Sequence, residues 1–146
     1  MNKTVLSTML GLGLGFVVAL PGLVQAQSIF FKERVLIPVR PIDATTFEVV
    51  ENDGAGGTTL WCAAGIFTKE YLNQRGGEIG VLQARGDSAT YPGRKSVIFT
   101  TGPVPNPVKS TSQGVRTEGQ TFSMGHANAL CRAQPEIYVR VRVLAS

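Results

Sequence analysis

The chain has 146 residues, with 14 basic and 10 acidic side chains, two cysteines and one histidine. At 16% charged and 43% hydrophobic it falls outside disordered polyelectrolytes and coiled coils, and its length fits one ordinary domain. Two cysteines and one histidine cannot supply the four ligands of a structural Cys/His zinc site, and no metal or other cofactor is expected.

The first 26 residues have the tripartite layout of a secretory signal. Lys3 charges a short leader, residues 5–20 carry no charge, Pro21-Gly22 breaks the apolar run, and Val24-Gln25-Ala26 sets small or medium residues before a cut after Ala26. The apolar run is about 12–16 residues, shorter than the roughly 20 of a spanning helix, so cleavage is expected rather than a retained anchor. No transmembrane segment is expected after cleavage. Residues 27–146 then form a single domain, periplasmic or secreted. Losing Lys3 lowers the formal charge from +4 to +3, mildly favourable to anionic surfaces. No basic block marks a nucleic-acid tail, so nucleic acid is an unexpected partner.

Residues 28–40 alternate as a strand, with Val35, Ile37 and Val39 on one side; Pro38 implies an edge position or the strand's end. A turn at residues 41–44 leads to a second strand at 45–51. The glycines of residues 52–57 form a loop; the Gly-Lys-Ser/Thr of a phosphate-binding loop is absent. Residues 58–73 are expected as an amphipathic helix capped by Thr58 or Thr59, with Leu60, Ala63, Ala64, Phe67, Tyr71 and Leu72 as its stripe and Gly76-Gly77 as its stop. Gly65 within it is expected to let the helix approach the sheet closely.

Strands are expected at 78–85 and 95–101, followed by a proline-stiffened connection at 102–107 and a polar stretch at 110–121 with at most a short strand near Val115. Ser123 can cap a second helix running to about Arg132, which Pro135 ends. Residues 136–144 alternate cleanly: Ile137, Val139, Val141 and Val143 on one side, Tyr138, Arg140, Arg142 and Leu144 on the other. The fold class is therefore α+β: a mostly antiparallel sheet of about five strands with two helices on one face.

Cys62 and Cys131 allow one pairing, and in an oxidising compartment they read as a single disulfide. It closes a loop long enough for about 4 kcal/mol by the chain-entropy argument. Its expected place joins the start of the first helix to the end of the second.

Chemistry is sparse. His126 is the only imidazole, no Gly-x-Ser-x-Gly elbow exists in residues 27–146, and the acids are scattered. No catalytic residue is assigned. The reading that competes with a non-enzymatic domain is a small secreted, nuclease-like hydrolase using His126 with an Arg and a Glu. A third is an inhibitor of an exported enzyme presenting the loop at 102–107. The most suggestive surface is Tyr138, Arg140 and Arg142, which Lys32 and Arg34 extend if the first strand lies beside the last. Such a basic, aromatic face suits an anionic glycan or lipid, an envelope protein being the other partner considered; alternatively its arginines simply pair with Glu48 or Glu33.

Three stretches carry a resemblance. Trp61-Cys62-Ala63-Ala64-Gly65 opens a helix, Gly93-Arg94-Lys95-Ser96-Val97-Ile98-Phe99 leads a strand, and Ala127-Asn128-Ala129-Leu130-Cys131 closes a helix. Together, over residues 45–131, they resemble small exported proteins of alphaproteobacteria that have a Trp-Cys near one helix and a Leu-Cys near another. The resemblance implies a Gram-negative envelope location and a Cys62–Cys131 pair, and no activity or catalytic residue.

Overall fold

The computed structural model describes residues 34–52, 54–134 and 136–143. The expected signal segment, Lys32 and Glu33 lie outside the described residues.

Strand β1 (Val35–Pro41) turns into β2 (Thr46–Val50) and the chain then enters helix α1 (Gly57–Glu70). Strands β3 (Glu78–Asp87) and β4 (Lys95–Thr100) form a hairpin; β5 (Val108–Lys109) and β6 (Gln120–Ser123) follow. Helix α2 (Met124–Ala129) continues as a 3-10 turn (Leu130–Ala133) before β7 (Ile137–Val141).

The architecture is α+β, but the sheet is larger and more mixed than the alternation indicates. Among the described residues it has seven strands in the order β5-β6-β3-β4-β2-β1-β7, with β1–β7 and β5–β6 parallel and the other pairs antiparallel. The difference has a physical cause. Hairpins β1–β2 and β3–β4 are antiparallel by necessity, whereas helical connections cross over and return the chain in the same direction. The pairings make β2 and β3 parallel around an inserted β4, and α1 is the crossover between them. Helix α2 carries the chain from β6 across to β7. The strands missing from the sequence reading are two and four residues long, too short to show a period. No strand forms at Val115; its carbonyl accepts a single bond from Arg85 N–H at 2.8 Å and its side chain plugs the core.

Pro38 lies in the middle of β1, an interior strand between β2 and β7, so it is neither at an edge nor at the strand's end; what it ends is one of the strand's two ladders. Val35 N–H bonds to Glu136 O and Arg142 N–H to Val39 O, so the odd residues of β1 turn their peptide groups to β7 and Pro38 turns its missing amide to β2. The β1–β2 ladder stops at Val39, one residue short of that gap. Just beyond, the Asn52 side chain donates to Leu36 O at 2.9 Å.

Both helices share one core, formed by Ile37, Val39, Phe47, Val49, Ile79, Val81, Val97, Phe99 and Phe122 from the sheet, with Leu60, Trp61, Ala63, Ala64 and Phe67 of α1 and Met124 and Ala127 of α2. Trp61 stands at its centre, ring centroids 4.8 Å from Phe99 and 4.5 Å from Phe122, with its indole N–H donating to Gly114 O. Helix α1 is buried almost all round from Thr59 to Gly65 rather than along a stripe, because Gln113 and Gly114 lie against its first turn and α2 with the following 3-10 turn covers Cys62 and Gly65. Its start is also simpler than expected: Gly56 occupies the N-cap with no side-chain bond, while Thr58 and Thr59 donate to Gln113 and Gln134. It ends at Glu70, before the Gly76-Gly77 pair, where Asn73 takes a positive φ of 53°.

Gly65 does permit a close approach, but to α2 and not to the sheet. A Cβ there would lie 2.8 Å from Asn128 N and 3.0 Å from the Ala127 carbonyl carbon. The Cys62–Cys131 disulfide fastens the same junction, Cα atoms 4.9 Å apart, joining α1 to the 3-10 turn after α2.

Candidate anion-binding face

The sheet's second face carries the polar side chains. Glu48 of β2 is 2% exposed there. Arg40 Nε, directly opposite on β1, donates to its Oε2 at 3.1 Å; Ser88 Oγ donates to Oε1 at 2.7 Å and Thr90 Oγ1 to Oε2 at 2.8 Å. Burial pushes the Glu48 carboxyl up, but hydrogen bonds from Ser88, Ser96, Thr90 and Arg40 outweigh it and hold the group below its ordinary range.

This buried carboxylate positions the β3–β4 loop. Ser88 Oγ also accepts from the backbone N–H groups of Thr90 and Tyr91, and the loop closes with Ser88 N–H bonded to Arg94 O and Gly93 at a φ of +79°. The loop thereby folds over the sheet and brings Tyr91 to β7. The guanidinium carbons of Arg94 and Arg142 each stand 5.9 Å from the Tyr91 ring centroid.

At the start of β7, Tyr138 makes a second aromatic platform. Arg34 lies 5.2 Å from its ring centroid and 3.9 Å from the Glu136 carboxylate. Tyr138 donates its hydroxyl to Glu136 at 2.6 Å; this bond, then burial, raises its pKa against the opposing charge of Arg34. Parallel pairing of β1 with β7 sets Tyr138 beside Leu36 and Arg140 beside Pro38.

Thus Arg34, Tyr138, Arg140 and Arg142 do share one face, and the pairing that joins them is β1–β7. Of the acids named as their alternative partners, Glu48 is taken by Arg40. Among the described residues no carboxylate lies within ion-pair distance of Arg94, Arg140 or Arg142. Tyr91 and Arg94 are not legible in the sequence as members of this face; the only signal is Glu48, an acid breaking an apolar strand, which needs partners if buried.

His126 sits elsewhere. It follows β6, with four strands between β6 and β7. Its backbone N–H is the one that Ser123 Oγ caps, at 3.1 Å, and its ring packs on Phe122 with centroids 4.5 Å apart. Glu78 and Lys109 share the shallow depression beside it, and no carboxylate among the described residues comes within ion-pair distance. The glycine loop before α1 borders a concavity of about 480 Å³ with Arg85 and Arg116, but Arg85 is held by Glu51 at 2.7 Å. Among the described residues no group of three or more His, Cys, Asp or Glu could hold a metal ion, and no helix is long and apolar enough to cross a membrane. No protein-family model, curated protein or solved structure matches the chain.

Proposed function

We propose that this chain is an exported, non-enzymatic binding domain of the cell envelope, periplasmic or secreted, whose face of Arg34, Tyr91, Arg94, Tyr138, Arg140 and Arg142 receives an anionic glycan or lipid headgroup. The observation that carries the reading is that Arg94 and Arg142 both stand against the Tyr91 ring, with Arg140 between Tyr138 and Arg142 on the same face of β7, and that among the described residues no carboxylate lies within ion-pair distance of these three arginines. Guanidinium groups recognise phosphate, sulfate and carboxylate in a planar, two-pronged way. Aromatic rings beside them add contact with a sugar or a headgroup and hold the cations by cation–π attraction. Export draws support from the amino-terminal pattern, from the resemblance to exported alphaproteobacterial proteins and from a disulfide, which persists in oxidising compartments.

The test is titration calorimetry of the purified protein against two probes, vesicles containing an anionic phospholipid and a sulfated polysaccharide, at low and raised salt. Binding to one of them, weakened by salt and by Arg140→Ala or Arg142→Ala, is expected, because exposed charge contacts are screened. Absence of binding to both would overturn the ligand, and a hydrolase activity lost on His126→Ala would overturn the non-enzymatic assignment.

A further inference from the structure

Among the described residues, nothing pairs with the outer edge of β7. The bonds from Val35 N–H to Glu136 O and from Arg142 N–H to Val39 O, both 3.0 Å, fix its orientation. Peptide groups alternate along a strand, so those of Glu136, Tyr138, Arg140 and Arg142 face β1. Those of Ile137, Val139 and Val141 face outward. The Tyr71 hydroxyl, 3.5 Å from Val139 O, touches this outward row and leaves the carbonyl its second lone pair.

An open edge of this kind is a template for another strand, and proteins usually guard it with charge. Here the charges complement their own reverse. We propose that a second copy of this chain pairs with β7 in antiparallel fashion, Val139 opposite Val139, to continue the sheet across a two-fold axis. In that register Ile137 meets Val141 and Val139 meets itself as narrow pairs, each exchanging two backbone bonds, so every outward group of the strand is used. On the helix side the contacts are apolar, between residues already half buried against the core. On the polar side Tyr138 stands opposite Arg140, and Glu136 opposite Arg142.

The alternative registers are poorer. Outward groups stay matched only after a shift that preserves the alternation. One such shift sets Arg140 against Arg140, and like charges directly opposite are unfavourable. The other sets Tyr138 against Tyr138 and Glu136 against Arg140, but it carries Val141 and Arg142 beyond the paired strand and so leaves the outward groups of Val141 unused. The sequence Glu136-Ile137-Tyr138-Val139-Arg140-Val141-Arg142 therefore specifies one antiparallel partner, itself. The pairing does not need the anionic ligand, and because it sets a carboxylate opposite Arg142, ligand and second copy compete for that guanidinium.

Sedimentation velocity of the purified exported protein, its signal segment removed, over a concentration range of about 1–300 µM tests this, a range set by the modest size of an edge-to-edge contact. A dimer growing in with concentration is expected. Val139→Pro removes an amide that faces outward, so the β1 ladder keeps its bonds, and it should weaken association about tenfold or more. Glu136→Arg and Arg142→Glu should each weaken it as well, and the double exchange should restore it. Far-UV circular dichroism checks that each variant is folded. A monomer throughout the range would overturn the proposal. So would a dimer indifferent to Val139→Pro in folded form, or a double exchange no better than the single ones.

Discussion

Phe47 and Glu48 are neighbours in β2, on opposite faces of the sheet, and are almost equally buried at 0% and 2% exposure. Phe47 is held by shape: its ring lies 4.5 Å from Phe67 of α1 and 6.0 Å from Phe99, and any apolar group of similar volume would serve. Glu48 is held by direction, since each oxygen needs donors at bonding distance and the removal of any leaves the buried charge short of a hydrogen bond. The helix side thus provides non-directional stability for the whole domain. The polar side spends one buried charge to fix one loop in one place, which in turn sets Tyr91 beside Arg142.

The largest effect separating the two faces should come from the helix side. Trp61→Ala empties the centre of the core and frees the Gly114 carbonyl, and should cost about 3–5 kcal/mol in urea unfolding. The loss should spread over the domain, with all probes unfolding together. Glu48→Ala should cost less, about 2–3 kcal/mol, because Arg40 retains partial access to water. Its signature is local: amide exchange at residues 88–94 should rise well above that of the core. If instead Trp61→Ala loosens that loop selectively and Glu48→Ala does not, the division between the faces is wrong.

Acid sharpens the same contrast, because the core under the helices is built of apolar side chains and, among the described residues, holds no titratable group, whereas the polar face buries Glu48. The folded-state pKa of Glu48 is depressed, so its contribution is fully present above the ordinary value of 4.5 and is lost as pH falls through the lowered folded value. Asp43 acts with the same sign at the β1–β2 turn, where its carboxylate accepts the backbone N–H groups of Thr45 and Thr46 at 2.8 Å. Stability measured from pH 6 down to about pH 3 should therefore fall, and Glu48→Gln should flatten much of that slope. An unchanged slope in the Gln variant would remove Glu48 as its source.

What the sequence reveals follows the same division. The front of every long strand shows its period, since Val35-Ile37-Val39 and Val97-Phe99 recur at two residues whatever they pair with, and two cysteines permit one bond. The helix capped by Ser123 is legible because capping is local chemistry. Pairing is not local. The seats of β5 and β6, the parallel union of β1 with β7, and the approach of Gly65 to α2 depend on segments far away in sequence. Arg34, Tyr138, Arg140 and Arg142 could be named as one face only on the condition that β1 lies beside β7. Tyr91 and Arg94 stayed hidden because the residue that brings them there, Glu48, acts across forty positions of chain.

The smallest expected effect on stability belongs to the arginines themselves. Arg140 and Arg142 are exposed, and a cation–π contact at such a site is worth about 0.5–1 kcal/mol at most. Arg142→Ala should therefore shift the unfolding midpoint little, within about 0.5 kcal/mol, while reducing affinity for the anionic probe. Arg142→Lys separates charge from shape: it keeps the positive charge but loses the planar fork, and should bind between wild type and Ala. Tyr91→Leu removes the platform and keeps every charge, and should weaken binding without altering its salt slope, since that slope counts the cations engaged. A stability loss for Arg142→Ala as large as that of Glu48→Ala would mean that the arginine serves the fold, and that the two faces differ in polarity but not in purpose.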